Sequence, residues 1–145
     1  MSDRTERAVE IFSNGYSCSQ AVLAAFSSDF GLDEDTALRI SGGFGGGFGR
    51  LGETCGALSG AIMVIGLAYR GVEAGRCEAK DITYAKVREA VERFREANGA
   101  TECRELLGID ILSDEGDLKA REARLYRTIC PKLVESAANI LEDLL

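Results

Sequence analysis

The residues of this 145-residue chain best able to do chemistry are its five cysteines, at positions 18, 55, 77, 103 and 130. Histidine and tryptophan are absent, which removes Ser-His-Asp triads, Cys-His pairs, HExxH zinc sites and histidine-ligated haem. The thiolate, not the thiol, attacks disulfides and binds metals, so the groups around each sulfur decide its use. Four of the five fall at expected helix starts. Cys18 follows Ser17, Cys55 follows Thr54, Cys103 comes two residues after Thr101, and Cys130 directly precedes Pro131, a residue favoured in the first helical turn. A helix N-terminus presents unpaired N–H groups and about half a positive charge. A thiol placed there is expected to ionise near neutral pH. The competing reading for any one cysteine is a small buried hydrophobe. Cys77, in GVEAGRCEAK with no clear cap, is assigned that role.

Successive cysteines of this set lie 37, 48 and 27 residues apart, and no CxxC occurs. Neither a thioredoxin motif nor a zinc ribbon can be read from such spacing. A shared site must gather one cysteine from each of several helices, which a helical bundle can do.

Cys55 sits in SGGFGGGFGRLGETCGALSG, residues 41–60. The stretch contains a GxGxxG at Gly47, Gly49 and Gly52, but the dinucleotide fingerprint requires a preceding strand and a βαβ unit. TALRIS before it reads as helix, and no Gly-Lys-Ser/Thr of a P-loop occurs. The glycines are better explained by close packing. Gly56 and Gly60 share one face of the following helix and admit a neighbouring helix. Gly42 to Gly49 can fold over that helix start, where free N–H groups can form an anion nest beside Arg50. Phe44 and Phe48 favour a packed segment over a loose surface loop.

The elements that must position these groups are helices throughout. Ala8, Ile11 and Phe12 mark a first helix from about Thr5. Ser17 and Gln20 form an S-x-x-Q capping box for a second, from Cys18 to about Ser28. LDEDTALRI is a short third helix, and a fourth runs from Thr54 to about Tyr69. A fifth spans about Glu78 to Ala97, and a short turn runs from Thr101 to Leu107. One helix is expected from Ser113 through Ile129, and a last one follows Pro131. No segment shows β alternation, internal repeat or linker composition. The expectation is an all-α, compact single-domain bundle of five to seven helices with a glycine-rich loop, spanning residues 1–145.

Composition narrows the partners. With 24 acidic against 17 basic residues, net −7, the chain lacks the basic balance of a general nucleic-acid binder. MSDRTERAVE has no apolar signal region, and the apolar run from Gly56 to Tyr69 falls short of the roughly 20 residues that cross a bilayer. A cytoplasmic location without stable membrane insertion is expected, and cysteines there are free thiols, redox groups or metal ligands. Self-association stays open.

GYSCSQAVL, then ETCGALSGAIMVIGL, then single cysteines at 103 and 130 resemble the small four-cysteine proteins of the C-GCAxxG-C-C family over nearly the whole chain. The central element is written here Cys55-Gly56-Ala57-x-x-Gly60, Cys-Gly-Ala in place of Gly-Cys-Ala. The resemblance implies a redox role and carries the family's cysteines onto Cys18, Cys55, Cys103 and Cys130, leaving Cys77 outside.

The leading expectation is thiol–disulfide or electron-transfer chemistry on a redox partner or small thiol substrate. Cys55 is expected as the most reactive thiolate, Cys18 as its resolving partner, and Cys103 with Cys130 as a second pair or as completing the same cluster. The alternatives are a Cys18–Cys55–Cys103–Cys130 site for zinc or an iron–sulfur cluster, and a helical interaction module with incidental cysteines. Whether the chain is an enzyme stays open.

Overall fold

The computed structural model describes residues 2–69 and 76–145, the side chains of Arg76 and Cys77 excepted. The assignment of Cys77 as a buried hydrophobe lies outside the described residues.

Among the described residues eight helices carry the fold: α1 (Asp3–Ser13), α2 (Cys18–Ser27), α3 (Glu34–Ser41), α4 (Gly56–Ala68), α5 (Arg76–Asn98), α6 (Cys103–Leu107), α7 (Asp114–Glu122) and α8 (Cys130–Leu144). Single turns at Gly45–Phe48 and Leu125–Thr128 and a 3₁₀ turn at Ser28–Phe30 connect them. The all-α expectation holds, and the count exceeds five to seven. The excess comes from short elements such as α6, which ends at Gly108 in the left-handed region, φ 72°; backbone turns rather than an apolar stripe delimit it.

Side-chain caps set several starts. Ser2 accepts from the Thr5 amide, Asp33 from Thr36 and Ser113 from Gly116, at 3.1, 2.9 and 3.0 Å. The Ser17–Gln20 box forms in full: the Ser17 amide donates to Gln20 Oε1 at 3.0 Å, and the Gln20 amide to Ser17 Oγ at 3.4 Å. Caps of this kind contribute about 1 kcal/mol each. The box places Cys18 at the first position of α2.

Helix α2 is the central element and packs against α1, α3, α4 and α8. Val22, Leu23 and Phe26 of α2 are buried with Leu58, Val64 and Ile65 of α4, Phe94 of α5, and Val134 and Leu141 of α8. At Gly60 a Cβ would stand 2.8 Å from Ser19 O and 3.0 Å from Val22 Cβ, so α2 is the helix that the small-residue face of α4 admits. A second apolar cluster gathers Cys103, Leu107, Ile111 and Ala120, with Tyr126, Ile129 and Cys130 against it.

The expected helix from Ser113 through Ile129 divides. Arg124 takes φ 59°, in the left-handed region, which ends α7 and turns the chain into Leu125–Thr128 before α8 begins. Among the described residues no helix is long and apolar enough to cross a membrane.

Candidate thiol site

Each of the four cysteines stands at the start of a helix, although only Ser17 caps as expected. Cys18, Cys103 and Cys130 are the first residues of α2, α6 and α8. Cys55 is itself the N-cap residue of α4. The expected caps Thr54 and Thr101 have another use. Thr54 and Glu102 form an isolated antiparallel bridge, in which the Cys55 amide donates to Thr101 O at 2.8 Å and the Cys103 amide to Glu53 O at 2.7 Å. Two backbone hydrogen bonds thus lock the segment before α4 to the segment before α6, with one cysteine on each side.

The four sulfur-bearing residues line one cavity of about 270 Å³, at the seam between the main core and the second cluster. Its wall is largely apolar: Phe12, Leu106, Leu107, Ile111 and Leu133 contribute, with Gly45, Gly46 and Gly56. Cys55 and Cys103 are 3% and 8% exposed, whereas Cys18 and Cys130 are partly exposed. Glycine is required at Gly56, where a Cβ would lie 2.5 Å from Cys18 Sγ and 3.1 Å from Phe44 O.

The glycine segment makes a left-handed turn. Gly46, Gly47, Phe48, Gly49 and Arg50 all have φ between 59° and 70°, a conformation costing L-residues about 1–2 kcal/mol each. At Gly47 a side chain is also excluded by space, since a Cβ would stand 2.5 Å from the Glu53 amide nitrogen. The rings of Phe44 and Phe48 meet edge to face, 5.7 Å between centroids at 81°, and Gly49 N donates to Gly45 O at 3.0 Å. The turn brings the Gly46 amide to the Cys18 sulfur. Where the glycines lead one to expect an anion nest, the Gly46 amide favours the ionised form of the protein's own Cys18.

Electrostatics separates the four cysteines. Cys18 is lowered from 9.0 to about 7, first by the S–H of Cys55 donating to its sulfur, then by the amides of Gly46, Ser19 and Cys18 itself, which together outweigh burial. Cys55 is raised well above 9.0 because its proton is held in that hydrogen bond, with burial and the Cys18 charge acting in the same direction. The Ala57 and Leu58 amides pull the other way and are outweighed. Cys103 is raised to about 11 by burial and then by the Cys18 charge. Cys130 is raised to about 12 by burial, Cys18 and Cys103. Of the four, Cys18 alone is lowered.

Within the pair the directions run opposite to the sequence expectation: Cys18 is the thiol lowered and Cys55 the thiol raised. Helix starts alone do not lower a pKa in a site this apolar, because desolvation opposes them and a second anion would repel the first.

A polar cluster with no counterpart among the sequence expectations rims the cavity. Arg50 meets Asp117 Oδ2 at 3.0 Å, Arg121 Nε meets the same oxygen at 3.2 Å, and Tyr126 donates to Asp117 Oδ1 at 2.7 Å. These contacts hold Asp117 below its ordinary value, the Tyr126 hydrogen bond foremost. Burial and Asp117 push the Tyr126 hydroxyl up. The i, i+4 spacings Asp117–Arg121 and Tyr126–Cys130 are visible in the sequence, but the pairing of Asp117 with Arg50 and Tyr126 crosses the fold.

Among the described residues, no group of three or more cysteine, aspartate or glutamate side chains is arranged to hold a metal ion. The four cysteines share a cavity without forming the close tetrahedral cage that a four-thiolate zinc or iron–sulfur site needs.

Comparison with known proteins agrees with the cysteine pattern. No curated protein and no solved structure matches the chain. The family model described as "Putative redox-active protein (C_GCAxxG_C_C)" matches residues 16–144, a span that holds all four cavity cysteines and the glycine turn. On that match the chain belongs to the C_GCAxxG_C_C family of redox-active proteins.

Proposed function

We propose that this chain is a single-domain thiol–disulfide exchange protein in which Cys18 attacks and Cys55 resolves. The observation that carries the reading is the shared chamber: Cys18, first residue of α2, and the almost fully buried Cys55, cap of α4, line one largely apolar cavity, and Cys18 is the thiol lowered there, to about 7. A thiol with a pKa near ambient pH combines a large thiolate fraction with retained nucleophilicity.

The Cys18 thiolate attacks one sulfur of a disulfide R–S–S–R. A Cys18–S–S–R bond forms and one R–S⁻ leaves. Cys55 then loses its proton and attacks Cys18 Sγ, forming a Cys18–Cys55 disulfide and releasing the second R–S⁻. Two protein sulfurs are oxidised and one substrate disulfide is reduced; one product thiolate takes up the proton lost by Cys55, and the other is protonated from water according to its own pKa; a dithiol reductant returns the pair. Cys103 and Cys130, protonated at neutral pH by their raised pKa values, form a second dithiol in the same chamber. The family's redox description supports this class of chemistry.

Oxidation of reduced protein with one equivalent of 2-hydroxyethyl disulfide, followed by proteolysis and mass spectrometry, tests it. The expected product is a Cys18–Cys55 disulfide, with a Cys18 mixed disulfide accumulating in Cys55→Ala. First attack at Cys103 or Cys130 would overturn the assignment.

A further inference from the structure

Resting on the exchange reading, we infer that the substrate is an anionic low-molecular-weight disulfide, whose carboxylates bind arginines outside the thiol chamber while its sulfurs reach Cys18. The inference comes from a second cavity. About 600 Å³ in volume, it is lined by Arg121, Arg124, Tyr126 and Arg127, and it shares Arg121 and Tyr126 with the thiol cavity. The left-handed turn at Arg124, φ 59°, ends α7 and starts the turn that carries Tyr126 and Arg127.

Charge runs against the protein's average here. Residues 119–132 contain Lys119, Arg121, Arg124, Arg127 and Lys132 against Glu122 alone, in a chain of net charge −7. Lys119 pairs with Glu115 and Arg121 with Asp117. Among the described residues neither Arg124 nor Arg127 has a carboxylate partner. Guanidinium forks match carboxylates in bidentate geometry, and a local positive field on an acidic protein concentrates small anions near it.

Size selects a small molecule over a protein. The attacking sulfur lies within a chamber of about 270 Å³, which is narrow even for a ligand pocket. The apolar wall suits an S–S link with short methylene arms and disfavours a charge, so the charged ends belong in the arginine cavity beyond Tyr126. A slender disulfide with a carboxylate a few bonds from each sulfur meets both conditions.

The test uses three disulfides of similar length on the full chain: 3,3′-dithiodipropionate (anionic), 2-hydroxyethyl disulfide (neutral) and cystamine (cationic). Each rate with Cys18 is divided by its rate with free cysteine, which removes intrinsic reactivity. The expected order is anionic, neutral, cationic, with an anionic-to-neutral ratio on the order of tenfold at low salt that shrinks as ionic strength rises. Arg124→Glu with Arg127→Glu, both at exposed positions, is expected to invert the order in favour of cystamine. Equal normalised rates in the native protein, or an unchanged order in the double variant, would overturn the inference. A non-reacting dicarboxylate of the same length, suberate, separates this from the exchange reading. It is expected to slow iodoacetamide at Cys18 in the native protein and not in the double variant. Protection by suberate without reaction of any disulfide would leave the anion site standing and refute exchange. Exchange with the neutral disulfide but no suberate protection would do the reverse.

Discussion

Replacing Cys55 by alanine tests the electrostatic account most directly, because the Cys55 S–H is the largest influence lowering Cys18. With Cys18 at about 7, about half of it is thiolate at pH 7; at the ordinary value of 9.0 the fraction is about one in a hundred. Three backbone amides remain in Cys55→Ala and burial still opposes them, so its midpoint should rise toward the ordinary value; a midpoint between about 8 and 9 is a loss of about 5- to 50-fold in thiolate at pH 7. The more basic thiolate is also more nucleophilic, by about 3- to 8-fold for one to two units at a Brønsted slope near 0.45. The net rate at pH 7 therefore falls only about 2- to 6-fold. The midpoint is the cleaner readout: iodoacetamide rates at Cys18 across pH 5–10 should titrate near 7 in the native protein and above 8 in Cys55→Ala. Cys55→Ser keeps a donor at the same position and should hold the midpoint closer to 7. A midpoint that stays at 7 in the alanine variant would refute the assignment of Cys55 as the group holding the thiolate. Loss of the serine rescue would point to packing instead.

Gly56→Ala drives a methyl to 2.5 Å from Cys18 Sγ; urea denaturation should show a loss of about 1–3 kcal/mol, and Cys18 alkylation should slow as its sulfur is displaced. For Cys103 and Cys130, raised from 9.0 to about 11 and about 12, the unfolded chain ionises first as pH rises. Their contribution is thus complete below pH 9 and declines above it, while that of Cys18, lowered to about 7, grows between about 7 and 9. Denaturation midpoints that rise from pH 7 to 9 and fall by pH 11 would agree, and a flat profile would not. Asp117→Asn removes the charge facing Tyr126, so the ultraviolet titration of that tyrosine should shift to lower pH, identified by difference against Tyr126→Phe.

Local chemistry is legible wherever it is written in neighbouring residues. Ser17 and Gln20 are three apart and bond reciprocally in any helix begun there, so the place of Cys18 at the start of α2 follows from sequence alone. Pro131 likewise marks the start of α8 beside Cys130, and the apolar periodicity is helical without β alternation. The break at Arg124 leaves no such trace, since arginine is a good helix former; in the fold its amide bonds back to Arg121 O and its carbonyl accepts from the Arg127 and Thr128 amides.

The division of labour among the thiols is not legible either. Four helix starts look alike along the chain, and helix geometry predicts four acidic sulfurs. Only the folded protein sets Cys55 and the Gly46 amide against Cys18 while leaving Cys103 and Cys130 without comparable donors. In a chamber of low polarity one negative charge raises the cost of every other. The order of cysteines in the chain determines which residues can carry the chemistry. Their meeting, where the α2–α4 packing adjoins the second apolar cluster, decides which one is ionised.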